Sequence, residues 1–292
     1  MNNGLAKVKE KILNDQLAIG THVKLPNPQI SEIVASCGLD IVWIDSEHGG
    51  MDKKDIDLHI MAIRSSGSAP FVRIPWNDPV LAKPVLEMGP AAVIFPLIRT
   101  AEDTKLAVSA CRYPPKGIRG WGPSRAINYG NMDVNEYIRK SEHDPWVIIQ
   151  IESEEGINNL KDILKVEGVD TVVIGPYDLS GSVGFLGQIR NPKVLNLMDK
   201  YAELCREAKI PFGTSIGFNE QNIIDWVKRG VNWICIDTDI SYLVSGTKRV
   251  IDFIGSLDSR LGSLKPKKEN NYLNYRNIIE KVTEEVIKNI KD

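Results

Sequence analysis

The sequence predicts an α/β protein folded as a single (β/α)8 TIM barrel, and three observations carry that prediction. Short runs rich in Val and Ile alternate with amphipathic stretches along the chain, the order that gives a parallel sheet with crossover helices. Eight such pairs fit within 292 residues, with no shift in composition to mark a second domain. No Gly-x-Gly-x-x-Gly follows the first run, which weakens an open doubly wound sheet as the alternative.

Met1 to Gln16 alternates polar and apolar residues at helical spacing and predicts an N-terminal surface helix. The first strand, Leu17 to Val23, leads into a helix from Pro28 to Ser36, where Ile30, Ile33 and Val34 share a face. The second, Ile41 to Asp45, breaks abruptly into Asp45-Ser46-Glu47-His48-Gly49-Gly50 before a helix capped by Asp52. Strand three, Pro70 to Ile74, runs through Pro75-Trp76-Asn77-Asp78-Pro79 into a helix ending at Met88-Gly89. Strand four, Ala91 to Leu97, precedes a helix from Ala101 to Cys111.

Tyr113 to Asn131 holds too many prolines and glycines for a helix or strand interior. A loop this long in a compact domain is usually functional or disordered, and Arg119, Trp121, Ser124 and Arg125 within it favour a lid or ligand loop over a floppy insert. A short extra helix, Val134 to Ser141, and strand five, Trp146 to Ile151, follow. Helix Glu154 to Leu164, strand six from Thr171 to Ile174 and the turn Gly175-Pro176-Tyr177-Asp178-Leu179-Ser180 come next. Helix Pro192 to Ala208, strand seven from Pro211 to Ile216, helix Glu220 to Lys228, strand eight from Trp233 to Ile236 and helix Ile240 to Ile254 complete a barrel domain expected over residues 1–262. Residues 263–292 read as a charged linker and an amphipathic helical tail, with Leu273, Ile278, Val282, Val286 and Ile290 at helical spacing.

A formal net charge of -2 gives no broad attraction to nucleic acid or to an anionic membrane, so neither is expected as a partner. No stretch approaches the roughly 20 apolar residues of a membrane helix. Cys37, Cys111, Cys205 and Cys235 are far apart and form no Cys-x-x-Cys pair, which argues against a zinc ribbon or a disulfide framework and for a reduced, cytoplasmic setting.

In a barrel, polar residues at the C-terminal ends of strands converge on one mouth. The second strand delivers Asp45, Glu47 and His48; the third Arg73; the fifth Gln150 and Glu152; the sixth Asp178. Each alone has a structural explanation, such as an ion pair for Arg73, a helix start for Glu152 or a turn cap for Asp178. Their convergence points to chemistry. Glu152 and Asp178 leave consecutive strands about 5 Å apart, and two hard oxygen donors with open positions beside them suit Mg²⁺ or Mn²⁺, which can chelate a 2-oxo acid. A histidine such as His48 suits a general base, and Arg73 supplies a fixed cation for a developing enolate. His22, at the end of strand one, reads equally as a site residue or a structural histidine; His59 and His143 read as surface residues.

Five ordered motifs, Asp45-Ser-Glu-His48, Val-Arg73-x-x-Trp-Asn-Asp78-Pro, Arg-Tyr-Pro-Pro-x-Gly-Ile-Arg-Gly, Gln150-Ile-Glu152 and Gly175-Pro-x-Asp178-Leu-Ser180, resemble those of the HpcH/HpaI class II pyruvate-dependent aldolases over about Gly20 to Val250. The resemblance implies a barrel that reversibly cleaves a 4-hydroxy-2-oxo acid to pyruvate, or a close analogue, and an aldehyde. It implies Glu152 and Asp178 as ligands of a divalent metal (Mg²⁺, Mn²⁺ or Co²⁺), Gln150 lining the same site, His48 as base and Arg73 on the keto oxygen. The backbone amides around Tyr177 and Asp178 would hold the pyruvate carboxylate, with Asp45 and Glu47 in positioning roles. Glu87 falls where the family's carboxylate partner of the histidine is usually aspartate, and Trp121, Ser124 and Arg125 fall in a loop near the family's aldehyde end. A homo-oligomer, trimer or hexamer, with the last barrel helix packed on a neighbour is implied too. Three rivals stand beside this expectation: a Schiff-base aldolase using Lys24, an oxaloacetate decarboxylase on the same site, and a non-catalytic oxo-acid binding protein.

Overall fold

The computed structural model describes residues 4–257; the linker and tail expected over 263–292 lie outside the described residues. The chain divides into two units, the first ending at Leu243 and the second beginning at Val244. Eight parallel strands close in sequence order: β1 (Ala18–Val23), β2 (Ile41–Asp45), β3 (Ala69–Arg73), β4 (Ala92–Phe95), β5 (Trp146–Ile151), β6 (Thr171–Ile174), β7 (Phe212–Ile216) and β8 (Trp233–Thr238). The fold is therefore a (β/α)8 barrel.

Before the barrel comes α1 (Leu5–Leu13); the crossovers are α2 (Pro28–Ser36), α3 (Lys53–Ser65), α4 (Pro79–Glu87), α5 (Ala101–Cys111), α6 (Val134–Ser141), α7 (Glu154–Asn158), α8 (Leu160–Ile163), α9 (Pro176–Ser182), α10 (Pro192–Ala208) and α11 (Glu220–Lys228). After β8, α12 (Asp239–Leu257) crosses the boundary between the two units. The single helix expected over Glu154 to Leu164 is interrupted at Asn159, and Gly175 to Ser180, expected as a turn, opens into α9. Pro at the first position preorganises α9, where its missing N–H is no loss. Among the described residues no helix is long and apolar enough to cross a membrane.

Strand pleating sorts side chains between two cores. Outward residues such as Val42, Ile44, Val72, Val93, Ile149 and Val172 join the helices in the larger core. Inward residues Ile41, Trp43, Phe71, Ile94, Trp146, Ile148, Val173 and Trp233 fill the barrel itself. Leu5 and Val8 of α1 belong to this inner cluster, so the expected surface helix closes the N-terminal end of the barrel. Lys11 Nζ, 2.7 Å from Asp40 Oδ2, holds it there.

His59 corrects one expectation. It is fully buried rather than on the surface, with Nδ1 2.6 Å from Ser31 Oγ. Ile56, His59, Ile60 and Ile63 stand at the i, i+3, i+4, i+7 spacing of one helical face, and that face is the buried one.

The inner core rests on a close approach at Gly213, where an added Cβ would run into the Trp233 ring. Trp233 is pinned by its Nε1–H, which donates to Thr171 Oγ1 at 2.9 Å. Gly213→Ala is accordingly expected to lower unfolding stability by about 1–3 kcal/mol through overpacking, read as a shift in denaturant midpoint with an unchanged slope.

Candidate active site

The pleat that buries Trp43, Phe71 and Ile148 inside the barrel places the residues two positions later, Asp45, Arg73 and Gln150, in the next inward layer, at the mouth. Strand register sets Asp45 beside Arg73. The guanidinium donates through Nε to Asp45 Oδ1 at 3.1 Å and through Nη2 to Oδ2 at 2.7 Å, a bidentate pair. Burial by itself would raise the Asp45 pKa, but the Arg73 charge and hydrogen bonds hold the carboxyl well below the usual carboxylate range. Trp43 lies under the pair, its ring 5.2 Å from Arg73 Cζ.

With two nitrogens tied to Asp45, the third is aimed. Arg73 Nη1 is 2.8 Å from Glu47 Oε2 and 3.5 Å from Gln150 Oε1. Asp45 Oδ1 also accepts the backbone N–H groups of Glu47 and His48, both at 3.2 Å. One carboxylate thus orients the cation and folds the loop that carries the histidine. His48 itself is exposed, its Nε2 3.7 Å from Glu47 Oε2.

Glu152 is buried at the end of β5. Its Oε1 accepts Gln150 Nε2 at 2.6 Å and its Oε2 accepts the Leu97 N–H at 3.0 Å. Burial, opposed by Arg73 and reinforced by the negative charges of Asp178 and Glu47, pushes the Glu152 carboxyl up to about 7. Gly175 leaves room for it, since a Cβ there would lie 2.7 Å from Glu152 Oε1. A buried carboxylate facing the charge of a second one is an arrangement that a hard divalent cation relieves. Among the described residues no group of three or more His, Cys, Asp or Glu side chains forms a cage for a metal. Glu152 and Asp178 are the two carboxylates whose chemistry fits such a cation.

Arg73, Gln150, Glu152 and Asp178 line a cavity of about 290 Å³ with Pro176 and Tyr177, and the opposite wall consists of His22, Lys24, Ser215, Asp237, Thr238 and Ser241. His22 stacks on Trp43 with ring centroids 4.4 Å apart, and its Nε2 is 2.8 Å from Ser215 Oγ. Burial, assisted by the Arg73 charge, pushes its pKa down to about 3, so the ring is neutral. Lys24 Nζ is 3.4 Å from Asp45 Oδ2, an ion pair. Ser215, Asp237, Thr238 and Ser241 were not among the expected site residues; they lie at or just after strand ends, yet nothing in their residue types singles them out.

His48, Arg73, Gln150, Glu152, Tyr177 and Asp178 all line this one cavity. Within the chain, Glu87, Trp121, Ser124 and Arg125 do not. Helices run back from the mouth, so Glu87 at the end of α4 and the segment between α5 and β5 lie at the N-terminal end of the barrel. There Glu87 is 3.6 Å from Arg119, Trp121 packs on Tyr113 and Tyr137, Ser124 accepts the Tyr129 N–H at 3.0 Å, and Arg125 faces Asp57 at 3.7 Å. Part of that segment is a 3-10 helix, Arg125–Gly130.

The model of the HpcH/HpaI aldolase/citrate lyase family matches residues 18–243, which spans every strand of the barrel. The chain belongs to that family. It is 32% identical over 256 residues to the 5-keto-4-deoxy-D-glucarate aldolase of Escherichia coli, covering 86% of this chain and 98% of the relative. Among solved structures, a HpcH/HpaI family protein of Burkholderia cenocepacia superposes with TM-score 0.80 at 29% identity, covering 85% of this chain and 98% of the other. The HpcH/HpaI aldolase of Desulfitobacterium hafniense also superposes with TM-score 0.80, at 27% identity over 86% and 97% of the two chains. The chain is thus an enzyme of an aldolase and lyase family.

Glu152 also ties the site to stability. Its carboxyl is raised in the folded state from 4.5 to about 7, so between these values the folded protein holds a proton that the unfolded chain has released. The contribution is present at low pH and lost as pH rises through about 7. For metal-free protein, Glu152→Gln should gain about 3 kcal/mol on wild type between pH 4.5 and 8. Denaturant unfolding of both proteins across that range measures the difference.

Proposed function

We propose that the chain is a divalent-metal-dependent aldolase that cleaves a 4-hydroxy-2-oxo acid to pyruvate, or a close 2-oxo acid, and an aldehyde. The observation that carries this reading is the convergence of Arg73, Gln150, Glu152, Asp178 and His48 on one cavity at the barrel mouth. A divalent cation held by Glu152 and Asp178 would supply Lewis acidity at the 2-oxo group.

Arg73 binds the 2-oxo oxygen through Nη1, the nitrogen left after Asp45 takes Nε and Nη2. Because the Asp45 pair holds the guanidinium in place before substrate arrives, little reorganisation accompanies charge build-up on that oxygen. His48 takes the proton of the 4-hydroxyl. The C4–O bond becomes the aldehyde carbonyl as the C3–C4 bond breaks, and its electron pair forms the C2–C3 double bond of the pyruvate enolate. Protonation at C3 gives pyruvate. Tyr177 and Asp178 present their backbone amides to the carboxylate, and Gln150 keeps Glu152 oriented through its 2.6 Å hydrogen bond. Assembly into a homo-oligomer, trimer or hexamer, belongs to the same proposal.

Wild-type protein with Mg²⁺, Mn²⁺ or Co²⁺ should release pyruvate from 4-hydroxy-2-oxo acids, in a lactate-dehydrogenase-coupled assay, and a chelator should abolish release until metal is restored. Glu152→Ala should reduce turnover to background at every metal concentration. Turnover that survives both treatments contradicts the metal-dependent reading, and borohydride trapping of substrate on Lys24 would replace it with a Schiff-base mechanism.

A further inference from the structure

The cavity has two unlike walls. Arg73 comes from β3, Gln150 and Glu152 from the end of β5 and Asp178 from α9, whereas His22, Ser215 and Asp237 come from β1, β7 and β8. The second wall is built with care. Pairing between β1 and β8 shifts register between Gly20 and His22, and Asp237 in that irregularity adopts a left-handed backbone with φ of 59°. Few non-glycine residues adopt that conformation, although Asp tolerates it better than most. Thr21 Oγ1 secures it by donating to the carbonyls of Ile236 and Asp237 at 3.0 and 3.2 Å. A bulge held in this way beside a site re-aims the side chain it carries.

The hydrogen-bonding capacity of this wall exceeds what the protein uses. Neutral His22 and Ser215 together own one N–H and one O–H, and their single 2.8 Å contact consumes one of these donors. Among the described residues, Ser215 Oγ makes no other hydrogen bond and the Asp237 carboxylate makes none. An apolar group against this wall would dry these atoms without replacing their water, whereas a hydroxyl both donates and accepts. A carboxylate is disfavoured by Asp237, and the nearby cation Lys24 is already engaged by Asp45.

We propose that His22, Ser215 and Asp237 are the specificity-determining wall for the aldehyde, selecting an acceptor with a hydroxyl on the carbon next to its carbonyl. This rests on the aldolase reading above, with the 2-oxo acid on the Arg73 side and the aldehyde on the β1, β7 and β8 side. Ser215 Oγ, backed by His22, and the Asp237 carboxylate bond that hydroxyl. A site built to bond a substrate hydroxyl discriminates against the isostere that lacks it far more sharply than an apolar pocket discriminates by a methylene.

Glycolaldehyde and propionaldehyde differ by OH against CH3 at nearly equal size, so the ratio of their kcat/KM values with saturating pyruvate and Mn²⁺ isolates the effect. Wild type is expected to favour glycolaldehyde by at least about 10²-fold. Ser215→Ala should cut that preference about 10-fold, Ser215→Thr should retain it, and Asp237→Gly, which suits the left-handed backbone, should also cut it. General damage to the enzyme lowers both rates and leaves the ratio intact. A wild type indifferent to the hydroxyl, or a ratio unmoved in Ser215→Ala and Asp237→Gly, overturns this inference and leaves the aldolase standing. Failure of wild type to join pyruvate to any aldehyde overturns the aldolase reading and this inference with it.

Discussion

The bidentate pair between Arg73 and Asp45 is the constraint on which the rest of the mouth depends. It lies on Trp43, above the aromatic and aliphatic cluster that fills the barrel. Such a pair is a poor source of stability, because removing two charges from water costs about as much as their attraction returns, although deleting one partner alone costs about 3–5 kcal/mol. Its value is positional. It fixes two guanidinium nitrogens and points the third toward Glu47 and Gln150, and through its backbone hydrogen bonds Asp45 ties the His48 loop to the same centre.

That centre also explains the uneven electrostatics of the cavity. Asp45 stays ionised because Arg73 faces it directly, whereas Glu152, equally dry, sees Arg73 from farther off and Asp178 as a like charge, and its carboxyl rises to about 7. Two carboxylates on one mouth are thereby driven apart in proton affinity, one serving as a permanent counter-ion and the other poised for a cation. His22, pressed between Trp43 and Ser215 near the same arginine, is kept neutral. The wall it belongs to is chiefly a hydrogen-bonding surface, its charges being Asp237 and Lys24, the latter paired with Asp45.

Much of this was legible in the residues. Eight Val- and Ile-rich runs and their helices specified a closed barrel because each run is buried on both faces and each crossover has the length of a helix. The strand-end rule brought Arg73, Gln150, Glu152 and Asp178 to one mouth because side chains along a strand alternate with a fixed period of two. What could not be read locally has physical causes. Helical periodicity tells which residues share a face and not which face is buried, so the sequence alone leaves His59 reading as a surface residue. Composition marks a segment as irregular without telling which end of the barrel it joins, so Glu87, expected beside His48, and the loop bearing Trp121, Ser124 and Arg125, expected near the aldehyde, both lie at the N-terminal end of the barrel. Asp237 joins the site through a bulge, and a single register shift leaves no mark in sequence patterning.

Enolate formation at Arg73 is the central claim, and pyruvate alone tests it without any aldehyde. In deuterium oxide with Mn²⁺, the wild-type enzyme should exchange the methyl protons of pyruvate for deuterium, followed by proton NMR after removal of the metal. Arg73→Lys keeps the charge and loses the bidentate geometry, and it should slow that exchange by about 10²–10³-fold. Exchange at the wild-type rate in Arg73→Lys would contradict the account.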